Sequence, residues 1–162
     1  VVNAFFKIIQ NKLHYAITSH TAAELIYERA NSEKENMGLT TWKEAPEGMI
    51  YKYDVAIAKN YLTETELRKL NNLTTLFLDY AESMAEDNQV MTMKDWINET
   101  DNLLKFRKKE ILQDSGKISH KQAIEKAENE YEKYKVFQDK KYVSDFDRLL
   151  LGTENINKNI IE

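Results

Sequence analysis

Apolar residues fall at Val2, Phe5, Phe6, Ile9, Leu13, Ala16 and Ile17, the three-and-four spacing of an amphipathic helix over residues 2–17. The other side of that helix carries Asn3, Lys7, Asn11 and His14. A polar interruption follows at Thr18-Ser19-His20. Thr21 with Glu24 three residues on then reads as a capping box opening a second helix to about Ala30. Residues 31–53 break the periodicity and hold two glycines and the single proline, so they form the longest irregular segment, with room for a short hairpin in 40–53. Met37, Leu39, Trp42, Met49 and Ile50 make that segment too apolar to hang free of the body.

From Asp54 to Tyr61 the pattern predicts a short helix with Asp54 as its cap. Thr63 and Glu66 form a second capping box, with Leu62 and Leu67 at the staple positions, and open a helix to about Asp87. Its apolar residues lie on two sides, so it is expected to be the central helix. Thr92 with Asp95 opens a helix to about Leu112, and Ser119 with Gln122 another to about Lys140. The latter has a narrow stripe at Ala123, Ile124, Ala127, Tyr131 and Tyr134, fit to pack along one seam. Ser144 is placed to cap a final short helix, DFDRLLL, ahead of a polar tail that should fray. The reading is therefore all-α: an irregular bundle of about six helices, one domain over 1–143, then a short C-terminal helix and tail over 144–162.

Composition supports this class, because four glycines and one proline in 162 residues are too few for the turns of a sandwich or barrel. With 23 Lys+Arg against 27 Asp+Glu and the charges interspersed, the net charge of -4 argues against direct nucleic-acid binding by this domain. The chain has no cysteine, which removes disulfides, thiolate nucleophiles and zinc–cysteine sites and fits a reducing compartment. No apolar run approaches the roughly 18 residues of a membrane span, and no leader is evident, so a cytoplasmic protein without membrane contact is expected. The chain opens on Val1 within a helical pattern and lacks an initiator methionine, which suggests a fragment of a longer protein.

His14, His20 and Glu24 are the candidates for catalysis, since histidine is the usual base near neutral pH and a carboxylate can orient it. Asn11 shares a helix face with His14, and Arg29 is a candidate anion clamp. Lys59, in AKNY, is a further candidate ligand contact. The bland alternatives are that Asn11 and His14 face solvent opposite the apolar stripe, that Glu24 is simply a cap, and that Lys59 is an exposed helix-end lysine. Trp42 and Trp96 read as core anchors. There is no HExxH, no GxSxG and no glycine-rich phosphate loop, and the histidines are scattered, so neither a metal nor a cofactor is expected.

The blocks FFKIIQNKLHYAITSHTAAELIYERA, NMGLTTW, DVAIAKNYL, LDYAE, MKDWI, AENEYEKY and YVSDFDR occur in an order that resembles the RhuM family of bacterial proteins. The likeness spans nearly the whole chain and corresponds to the C-terminal half of such proteins. The resemblance implies a virulence-associated protein of mobile elements, whose other half looks like a small helix-turn-helix-type DNA-binding module. It carries no assigned activity. Asn11, Lys12, His14, His20, Glu24 and Arg29 fall within the matching blocks, which makes Lys12 another candidate ligand contact. Some relatives are linked with Fic-type toxins, but the Fic signature is missing, because TAAELIYER follows His20. Two readings result. One is a helical interaction, oligomerisation or ligand-sensing module, pairing with a copy of itself or with a protein partner and serving the DNA-binding half. The other is a toxin-like effector acting on nucleic acid or nucleotide through a His/Glu/Arg site on the first two helices.

Overall fold

The structure, a computed structural model, describes residues 2–141 and 146–152. It is all-α: α1 Val2–Thr18, α2 Ala22–Arg29, α3 Glu64–Glu86, α4 Met93–Phe106 and α5 His120–Lys141. Residues 146–152 are helical as well, and there is no strand among the described residues. Ser144 and the expected fraying tail lie outside the described residues.

The predicted starts form as capping boxes. Thr21 with Glu24, Thr63 with Glu66 and Thr92 with Asp95 each exchange the reciprocal backbone bonds of that motif. Ser119 and Gln122 exchange the same pair of bonds at the head of α5. The ends of α1, α3 and α4 are set by left-handed residues. Asn88 (φ 54) ends α3, with Gln89 N–H donating to Met84 O and Asn88 N–H to Ala85 O. Lys108 (φ 54) ends α4 with the same two-bond Schellman pattern onto Leu104 and Lys105. That turn stops α4 at Phe106, short of the expected Leu112.

No hairpin forms in residues 40–53. The Thr40 and Thr41 amides both donate to Asn60 O, the Trp42 indole donates to Gly48 O, and Gly48 N–H folds back on Glu44 O. Ile50 is paired on both backbone groups by one side chain. Gln138 Oε1 accepts from Ile50 N–H at 2.7 Å, and Gln138 Nε2 donates to Ile50 O at 2.8 Å. The segment's polar groups are thus satisfied without a strand partner. The expected helix over 54–61 is replaced by two 3-10 turns, Asp54–Ala56 and Ala58–Tyr61, parted by extended Ile57. Asp54 does not cap them. Its buried carboxylate accepts from Lys43 N–H and Tyr51 N–H, so it organises the preceding loop instead.

Two hydrophobic cores result. The first joins α2, the irregular segment and α5 through residues such as Ile26, Met37, Trp42, Tyr61, Ala127 and Tyr131. The second joins α1, α3 and α4 through Ile9, Leu13, Leu25, Leu70, Leu73 and Leu104. The element shared by both is the short α2: Leu25 enters one core and its neighbour Ile26 the other. The expectation of a central α3 is corrected, because only Leu70 and Leu73 of that helix are fully buried. Trp42 anchors the first core as expected. Trp96 lies half-buried instead, edge-on to Phe77 and Tyr80.

Candidate functional site

The turn at Thr18-Ser19-His20 decides where the candidate groups go. Ser19, left-handed at φ 58, ends α1 with its N–H on Tyr15 O, and Thr18 Oγ1 donates to His14 O. His20 then lies with Nδ1 2.7 Å from Thr18 O and Nε2 2.9 Å from Glu28 Oε2. Its carboxylate partner is Glu28, one turn beyond the Glu24 expected from the sequence.

Glu24 is spent on backbone. One oxygen accepts from Thr21 N–H at 2.8 Å, completing the cap, and the other accepts from Lys117 N–H at 2.6 Å, tying the turn before α5 to α2. Gly116 makes this approach feasible. At φ +84 a Cβ there would lie 2.6 Å from Thr21 Cγ2.

Arg29 forms a fork on Glu66, with bonds of 2.7 and 2.9 Å, and also donates to Tyr61 O. The Arg29 guanidinium bonded to Glu66 is the main reason the carboxyl is held down to about 2. Glu66 also closes the Thr63 cap, so this pair joins α2 to α3.

On α1, Asn11 Oδ1 accepts from Ala22 N–H at the start of α2. Lys12 is buried, with Nζ 2.8 Å from Asp101 Oδ1 and donating to Leu112 O at 2.9 Å. His14 is 2 % exposed, which corrects the solvent-facing alternative: α1 packs against α2, α3 and α4, so its polar side is covered too. Burial, and then the positive field of Lys59, lower its pKa to about 4, leaving a neutral imidazole with Nδ1 unpartnered. Lys59 itself is exposed.

The candidates are therefore brought onto neighbouring elements but into separate bonds: His20 to Glu28, Glu24 to two backbone amides, Arg29 to Glu66, Lys12 to Asp101. Among the described residues no three His, Cys, Asp or Glu side chains are grouped to hold a metal ion. None of the described helices is long and apolar enough to cross a membrane.

Two surface features lie apart from the candidate catalytic and ligand residues chosen from sequence. One is a depression of about 510 Å³ lined by Trp42, Lys43, Tyr53, Asp54, Ile57 and Asn60, with the Tyr53 ring stacked on Tyr51 at 5.6 Å. The other is the end of α4, where Lys105, Arg107, Lys108 and Lys109 flank the exposed Phe106 along the chain. The second was open to view in the sequence as the run KFRKK, masked by the acidic total.

No curated protein and no solved structure matches the chain. The model of the Virulence protein RhuM family matches residues 1–143, and the chain belongs to that family.

Proposed function

We propose that this is an interaction module that works by pairing helices, serving a DNA-binding half of the kind the family resemblance implies. One observation carries the reading. On α1 the positions Val2, Phe6, Ile9 and Leu13 follow the four-three-four spacing of a coiled-coil seam. The inner pair is buried in the second core, while Val2 and Phe6 are 51 % and 61 % exposed. The seam's outer positions are thus uncovered although Phe5 beside them packs on the second core, and a second copy of the chain presenting the same positions is the occupant that fits it.

The test is light scattering on the eluted protein across a concentration series, with Phe6→Glu as the comparison. The expected result is a dimer that the substitution converts to monomer while the circular dichroism stays helical. A chain that stays monomeric throughout and captures no second, differently tagged copy would overturn the reading.

A further inference from the structure

We propose that the C-terminal end of α4 is a binding surface for single-stranded nucleic acid, with Phe106 stacking on a base and Lys105, Arg107, Lys108 and Lys109 holding phosphates. Four cations lie within five residues, in a chain whose net charge is -4. Lys105, Arg107 and Lys108 are exposed, and none of the four forms an ion pair with a described residue. The carboxylates closest in sequence are turned elsewhere: Asp101 pairs with Lys12, and Glu110 accepts from Ser19 Oγ. At the centre stands Phe106, 84 % exposed.

Cations at a helix C-terminus have a bland explanation, because they offset the negative end of the helix dipole. Two features go beyond it. That role does not call for an exposed aromatic ring among the cations. Nor does it call for Lys108 at a left-handed position (φ 54), where the equivalent turn of α3 uses Asn88 and carries no basic residue in its last turn. A β-carbon in that conformation is strained, and asparagine tolerates it better than lysine. A positive charge is held at Lys108 against the local conformational preference. An aromatic face flanked by unpaired cations is the arrangement that stacks unpaired bases and tracks the backbone linking them. A duplex offers no free base face, which favours the single strand.

Fluorescence anisotropy with a labelled oligothymidylate of about 20 nucleotides, the corresponding duplex, and phosphatidylserine-containing vesicles tests the inference on the full chain. Binding to the single strand should weaken linearly in log–log with salt. Phe106→Ala should weaken it about tenfold with little change in salt slope. Lys108→Asn should lower the slope by about 0.7 while raising the melting temperature, so that affinity and stability move in opposite directions. Lys7→Gln, on the first turns of α1, should change neither. Lack of single-strand binding at low salt would overturn the proposal. So would duplex binding equal to single-strand binding and indifferent to Phe106→Ala, which marks a bare charge patch. Preference for vesicles over the oligonucleotide, lost in Phe106→Ala, would overturn it in favour of a membrane contact.

Discussion

His14 gives the molecule an acid-sensitive residue at its centre. Its folded pKa of about 4 lies below the ordinary value of 6.5, so between those two the unfolded chain binds the proton that the folded chain refuses. Stability attached to this group is whole above pH 6.5 and falls as the pH drops toward 4, by about 3 kcal/mol across the window. Glu66, held down to about 2, adds a second loss at lower pH, between its ordinary carboxylate range and that value. Urea titrations at stepped pH should show the upper limb in the parent and a flat profile down to about pH 4.5 in His14→Leu. A variant that keeps the upper limb would remove His14 as its source. Arg29→Lys tests the fork on Glu66 and Tyr61 O. A lysine ammonium cannot make both contacts, and after allowance for partial exposure a loss of about 1 kcal/mol is expected in the same titration.

At the level of elements, the turn before α5 is tied to the N-terminus of α2. Gly116→Ala puts a Cβ into Thr21 and strains a left-handed residue together, so a loss of about 1–3 kcal/mol is expected in thermal unfolding. The N-terminal ends of helices were legible because threonine or serine followed by a carboxylate or amide three residues on is a local code, met at Thr21, Thr63, Thr92 and Ser119. The C-terminal ends of α1, α2, α3 and α5 fall within about a residue of those expected, but α4 stops early because Lys108 does there what glycine usually does. Irregular segments hide for another cause. Asp54 looks like a cap in one dimension, but its acceptors are taken by Lys43 and Tyr51, a pairing only the folded loop reveals. The buried state of His14 was equally hidden, since it depends on three helices closing round α1. The candidate site was legible as a neighbourhood, because His20, Glu24 and Arg29 lie at the α1–α2 junction or along α2 and Asn11 reaches the start of α2 from within α1. Its bonding was not, because Glu28, Glu66 and Lys117 arrive from positions that spacing cannot rank.

The whole molecule is two cores sharing one thin helix. Leu25 and Ile26, about 100° apart round the helix, enter different cores, and Leu25→Ala and Ile26→Ala should each cost about 2–4 kcal/mol. The two tryptophans report one side each: Trp42 belongs to the first core, and Trp96 lies against Phe77 at the edge of the second. With Trp96→Phe or Trp42→Phe isolating one fluorophore at a time, both probes should show the same urea midpoint, and that midpoint should shift together in either alanine variant. Separate midpoints would mean that the two sides unfold independently. The adjacency of Leu25 and Ile26 also bears on how such a chain can change through descent. A recombination that brought in one side from a distant relative would have to keep or replace α2, and either choice leaves that helix matched to a single neighbour. The two sides also interleave along the chain, with α1, α3 and α4 in one and the irregular segment and α5 in the other. A junction in the loop before α3 therefore divides both cores, and chimaeras joined there should fail to fold even where each parent is stable.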